Sequence, residues 1–247
     1  MKITFVGSSH GVPSAERYCS SAMIEAGGAI YFIDAGAPVI DGLLRRGKDV
    51  NAVRAIFTTH AHGDHVDGLI SFADLLNWYY KDASVFFYLT EQRLIDAVTE
   101  LLCTLTATPL AEDRVKLRLV DSDFVYEDEN IRVSLIPTKH MVASGRSSYA
   151  ILVESDGHRV LFSGDLSQGL READVPSILS TEDIDAFICE MAHFGAEHIS
   201  PYLDTCRARE VYFTHVYPFN KFEDIRRLDP EYGFPIHIVK DGDEIIF

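Results

Sequence analysis

The sequence predicts an α/β protein in which two β-sheets pack face to face with helices outside. Three observations point there: short apolar runs of strand length outnumber helical periodicities, both halves follow the same plan, and no Pro/Gly-rich linker divides them. A sheet with an apolar face must bury it, and a second sheet inside with helices outside is one layered solution. The periodicity alone also admits other α/β layouts. With no linker, residues 1–247 read as one domain, long enough to bury a sizeable core.

The elements follow in order. Ile3–Val6 is a first strand, and Gly7–Arg17 a Gly- and Ser-containing loop. Ser21–Ala26 and Ala29–Ile33 form a hairpin around Gly27-Gly28, a favoured turn dipeptide. Pro38–Arg46 is a short helix stopped by Gly47. Val53–Phe57 is an apolar run of buried-strand type that delivers the chain into Thr58-Thr-His-Ala-His-Gly-Asp-His65. Leu69, Phe72, Leu76 and Tyr79 then recur at helical spacing, giving a helix over Asp67–Tyr80. Strands are expected at Val85–Tyr88, Val115–Val120, Ile131–Ile136, Tyr149–Glu154, Arg159–Phe162, Ala186–Cys189, Val211–Thr214, Ile236–Val239 and Glu244–Phe247. Further helices are expected at Glu91–Leu102, Ser200–Ala208 and Lys221–Leu228.

Composition narrows the function. The net charge is -16, from 22 Lys+Arg against 38 Asp+Glu, and such a surface repels a polyanion, so long nucleic acid is a poor partner. Cys19, Cys103, Cys189 and Cys206 form no CxxC pair and read as free thiols. No apolar run is long enough to span a membrane, and the start runs straight from a strand into Gly7 without signal-peptide character. A cytoplasmic protein is the expectation.

His60-Ala-His62-Gly-Asp64-His65 places four potential metal ligands within six positions, on a loop after a buried strand. Imidazole and carboxylate together suit zinc, manganese or iron, while the absence of thiolates argues against a structural zinc site of Cys type. Three further segments carry a lone His or Asp at the end of a strand: Ile136-Pro-Thr-Lys-His140, Val160-Leu-Phe-Ser-Gly-Asp165 and Val211-Tyr-Phe-Thr-His215.

This order and spacing resemble the metallo-β-lactamase superfamily, whose signature is HxHxDH followed by a lone His, a lone Asp and a final His at strand ends. The resemblance runs from Asp34 to His215. It implies a four-layer αββα sandwich of two mixed sheets and two divalent metal ions, zinc first, with manganese or iron as alternatives. By that resemblance His60, His62 and His140 hold one ion, Asp64, His65 and His215 the other, and Asp165 bridges. Asp34 then supports the HxHxDH loop by hydrogen bonds. Two ions about 3.5–4 Å apart activate a bridging water as hydroxide and clamp substrate oxygens, so an ester is cut without a Ser or Cys nucleophile. Asp64 also orients that nucleophile.

Local features choose among the superfamily's reactions. His62 stands where the diiron oxygen reductases usually carry Glu, and Asp165 supplies the bridging carboxylate that true β-lactamases lack. Gly7-Ser-Ser-His-Gly11-Val-Pro13 with Arg17 and Ser20-Ser21 resembles the start of ribonuclease Z-like enzymes. Cys189-Glu190 followed by His198-Ile-Ser200 is similar to that group's Glu and His-x-Ser/Thr motif. The resemblance makes His198 the general acid and Glu190 its partner, with His193 competing for the role. Too little chain separates His140 from Asp165 to hold the tRNA-gripping arm of ribonuclease Z. The expected activity is a metal-dependent phosphodiesterase acting on a small cyclic or terminal phosphodiester. The alternative is a thioester or lactone hydrolase of glyoxalase II type. Dimers are common in the branch, which favours a homodimer.

Overall fold

A computed structural model describes residues 1–12, 14–228 and 232–247; Pro13, part of the opening motif, lies outside them. Two seven-stranded sheets form the centre. The first contains β1 (Lys2–Gly7), β2 (Ser21–Ala26), β3 (Ala29–Ile33), β4 (Val53–Phe57), β5 (Val85–Leu89), β6 (Val115–Leu119) and β14 (Glu244–Ile246), in the order β14-β1-β2-β3-β4-β5-β6. The second contains β7 (Val125–Glu127), β8 (Arg132–Pro137), β9 (Tyr149–Ser155), β10 (His158–Phe162), β11 (Ile184–Met191), β12 (Ala208–Val216) and β13 (Ile236–Ile238), in the order β13-β12-β11-β10-β9-β8-β7. Both are mixed: β3 to β6 and β10 to β13 run parallel, and the remaining neighbours antiparallel.

Burial follows the period-2 rule of a strand. Ile24, Tyr31 and Phe57 from the first sheet meet Val133, Ile151, Val160 and Ile188 from the second, forming the inner core. The alternate residues Met23, Phe32 and Ile56 face outward and are covered by α1 (Val39–Arg45), α2 (Gly63–Trp78) and α3 (Gln92–Thr106). On the other outer face, Leu161, Phe187 and Phe213 pack under α4 (Ile178–Thr181), α5 (Ala196–Leu203) and α6 (Lys221–Leu228). The four-layer αββα sandwich is therefore what the burial pattern builds. No helix among the described residues is long and apolar enough to cross a membrane.

Several elements differ from the sequence reading. The helix after the metal motif begins at Gly63, inside it, so Asp64 and His65 occupy its first turn. The expected helix Ser200–Ala208 runs instead from Ala196 to Leu203, because Gly195 supplies an extended N-cap and Ala208 pairs with Ile184 in the sheet. β7 was not foreseen: it is a three-residue edge strand in an acidic stretch with little apolar alternation.

Candidate metal centre

Parallel strands leave their carboxyl ends along one edge of a sandwich, where ligands are bound in open α/β sheets. Here β3 delivers Asp34, β4 the HxHxDH loop, β8 His140, β10 Asp165, β11 Glu190 and β12 His215. Two positions show what this convergence demands of the backbone. A Cβ on Gly36 would lie 1.7 Å from the carbonyl oxygen of Asp64, so only glycine lets the β3–α1 turn reach the motif. Gly164, immediately before Asp165, has φ +56° and would place a Cβ 2.6 Å from the Tyr149 carbonyl. Asp34 and His215 adopt left-handed backbone, with φ of 59° and 51°; such strain concentrates at functional sites.

Two donor sets result. In the first, His60 Nε2 and His62 Nδ1 are 3.0 Å apart, His140 Nε2 lies 3.3 Å from His62 Nδ1, and Asp165 Oδ2 lies 3.7 Å from both His60 Nε2 and His140 Nε2. In the second, His65 Nε2 is 3.5 Å from Asp64 Oδ2 and 3.4 Å from Asp165 Oδ1. His215 Nε2 stands 3.6 and 3.4 Å from the same two oxygens. The two oxygens of Asp165 thus face different sets.

Tetrahedral coordination at about 2.1 Å separates ligand atoms by about 3.4 Å, which the observed spacings bracket. His65 Nε2 and Asp165 Oδ1 are buried without a hydrogen-bond partner, an arrangement native proteins rarely leave unexplained. Both sets can hold a metal ion, and the donors fit divalent cations that accept imidazole and carboxylate.

The other ring nitrogens are tied down, which aims the free ones. His140 Nδ1 donates to the Leu166 carbonyl at 3.2 Å, and His215 Nδ1 meets Ser20 Oγ at 2.9 Å. His65 Nδ1 donates to Asp34 at 2.7 Å, while Asp34 also accepts the Thr59 backbone N–H at 2.7 Å and the Thr59 hydroxyl. Asp34 therefore braces the motif from behind, as the family resemblance implied. Asp34→Ala should weaken metal binding about 10- to 100-fold, the usual cost of losing such a partner, as read by metal titration of the stripped protein.

The electrostatics divide the two sets. Burial holds His60 well below its usual pKa and lowers His62 and His140, so their lone pairs are available. Burial would also lower His65, but Asp165 and Asp34 outweigh it and raise it well above the usual range. Asp165 is held well below the carboxylate range, because His215 and His65 overcome the effect of burial. In the metal-free chain, histidine charge thus stands where cations would.

Next to this centre the expected pairing of Glu190 with His198 does not form. His198 does not reach Glu190: its side chain is 40% exposed and its Nδ1 lies 3.0 Å from Glu197. His193 takes that place. Its Nδ1 donates to Glu190 Oε1 at 2.9 Å and stands 3.9 Å from Asp165, and its ring meets that of His140 at 4.6 Å. Glu190, 2% exposed, also accepts the backbone N–H groups of Leu166, Ala192 and His193. From the far side Lys221 Nζ donates to the carbonyls of Met191, Ala192 and Phe194, at 2.9, 2.9 and 2.6 Å. The three-residue step from Glu190 to His193 was the only trace of this pairing in the sequence; Lys221 left none.

Burial works against charge on His193, but the hydrogen bond and charge of Glu190, with Asp165, push its pKa up to about 9. A histidine raised above its ordinary 6.5 stabilises the fold fully below that value and ceases to as pH rises through about 9. In metal-free protein, the stability difference between the wild type and His193→Gln should therefore shrink between about pH 6 and pH 10, by urea denaturation.

Comparison with known proteins bears on the fold and the family. Residues 1–198 match the family model of the anti-Pycsar protein Apyc1. Ribonuclease Z of Synechococcus sp. (strain CC9311) is 30% identical over 146 residues, covering 58% of this chain and 46% of that protein. The chain spans about half the length of the curated relatives it matches. The metallo-beta-lactamase fold protein YhfI from Bacillus subtilis superposes with a TM-score of 0.78 at 18% identity, over 99% of this chain and 98% of that one. The short form of human tRNase Z gives 0.73 at 18% identity, over 100% and 99%. Those two likenesses speak for the fold. A matched model over most of the length, a ribonuclease Z-like signature and this fold together place the chain in the Apyc1 anti-Pycsar protein family, within the ribonuclease Z-like branch of the metallo-β-lactamase superfamily.

Proposed function

We infer that the protein is a metal-dependent phosphodiesterase acting on a small cyclic or terminal phosphodiester. The observation that carries this reading is His193, fixed by a buried carboxylate at the edge of two metal-type donor sets. His60, His62 and His140 would hold one ion and Asp64, His65 and His215 the other, with Asp165 serving both. Such ions supply an activated water and stabilise charge on phosphoryl oxygens.

The chain's own residues supply the rest. Glu190 fixes His193 through Nδ1, leaving Nε2 to hand a proton to the departing alkoxide, which a phosphodiester needs most. A thiolate departs without that help, so a glyoxalase II type of reaction would leave His193 without a role. β9 and β10 fill the chain between His140 and Asp165, so no arm extends there to grip an RNA. The ribonuclease Z relatives support a phosphodiester as the bond class.

The finer claim is tested by comparing turnover of 3′,5′-cyclic nucleotides and nucleoside 5′-p-nitrophenyl phosphates with cleavage of a precursor tRNA. The reading expects the small substrates to be hydrolysed and the RNA to be left intact. Efficient cleavage of the RNA alone would contradict it.

A further inference from the structure

His10 lies on the loop between β1 and β2 and is 7% exposed. Its Nδ1 accepts the backbone N–H of Val12 at 3.2 Å. A neutral imidazole carries one donor and one acceptor nitrogen, so this bond places the ring proton on Nε2. That nitrogen is buried and has no hydrogen-bond partner. A structural histidine would satisfy both edges of its ring, and a buried donor left over calls for an explanation.

The surroundings supply one. The backbone N–H of His215 donates to the Ser8 carbonyl at 3.0 Å, pinning the loop to the strand end that carries a candidate ligand. The His10 ring meets that of His215 edge-on at 6.2 Å. Gly11 packs so closely on Asp64 that a Cβ there would lie 3.3 Å from its Oδ2. Asp64, Asp165, His193 and His215 are the titratable groups that surround His10, and all belong to the candidate site. The ring of Tyr217 lies against His10 at 3.9 Å. Tyr217 is 47% exposed, and no hydrogen bond of its hydroxyl is seen among the described residues.

We propose that His10 is a substrate-binding residue whose Nε2–H donates to an oxygen of the phosphodiester held at the metal centre. Metal ligation is the wrong role for it, because a protonated nitrogen has no lone pair to offer. The inference rests on the phosphodiesterase reading and adds to it a contact from a loop outside both donor sets.

The test uses the full, metal-loaded chain with His10→Ala and His10→Gln, the latter keeping a donor. Metal content, the Kd for inorganic phosphate by calorimetry, and kcat and KM for bis(p-nitrophenyl) phosphate are measured for each. Two ions should bind in every form. His10→Ala should weaken phosphate binding and raise KM about tenfold, the scale of one hydrogen bond to a charged group, with kcat much less affected and Gln restoring part of the loss. In wild-type protein labelled with ¹⁵N-histidine, the His10 Nε2–H resonance should shift on adding phosphate. An unmoved resonance, or unchanged Kd and KM in His10→Ala, overturns the inference and leaves the phosphodiesterase reading standing. Loss of metal from both variants overturns it in favour of a structural role. A fully loaded wild type that hydrolyses no phosphodiester overturns both.

Discussion

Replacing Asp165 by Asn should lower turnover roughly a thousandfold and reduce the bound metal from two ions per chain to one. The two carboxylate oxygens of Asp165 face different donor sets, at 3.4 Å from His65 Nε2 and 3.7 Å from His60 Nε2. An amide keeps one oxygen for one set and turns an NH2 group, which has no lone pair for a metal, towards the other. A metal ion contributes several kcal/mol of stabilisation to developing charge, and each 1.4 kcal/mol or so is tenfold in rate. The substitution also removes a buried negative charge between His65 and His215, so the metal-free variant should lose stability as well. Metal analysis beside steady-state kinetics checks both effects. A variant that keeps two ions and full turnover would show that Asp165 does not join the sets.

The second large effect belongs to His193. His193→Ala should reduce hydrolysis of an alkyl phosphodiester, such as a cyclic nucleotide, by about 10²-fold or more, the usual contribution of a general acid. The same variant should lose far less on bis(p-nitrophenyl) phosphate, because p-nitrophenolate departs without a proton. That contrast separates proton donation from a general disturbance of the site, which would depress both substrates alike. His198→Ala should remain near wild type on both, since its ring is bonded to neither Glu190 nor the donor sets. If His198→Ala shows the leaving-group contrast and His193→Ala does not, the assignment reverses.

The parts of the site that could be read from sequence are those attached to strands. Val53–Phe57 is an apolar run broken only by the exposed Arg54, and its bounds and the ligands beyond it followed together. His140, Asp165 and His215 were found through the superfamily signature, which expects a lone His, a lone Asp and a final His at strand ends. The Ser21–Ala26 and Ala29–Ile33 hairpin was legible through its Gly-Gly turn. The pairing of Glu190 with His193 was not, because it depends on how one loop folds back. Glu190 accepts two backbone N–H groups of that loop while Lys221, about thirty residues on, holds its carbonyls. Spacing along the chain records neither contact. The tautomer of His10 was equally hidden: only the bond from Val12 shows which of its nitrogens carries the proton.

The central claim, a metal-dependent phosphodiesterase, is tested most directly by following bis(p-nitrophenyl) phosphate hydrolysis with protein loaded with Zn²⁺ or Mn²⁺. The Asp64→Ala variant runs alongside as a blank for contaminating activity. The account predicts turnover that is abolished by chelation and absent from the variant. Wild-type protein carrying two ions per chain that leaves this diester intact while hydrolysing a thioester would contradict it.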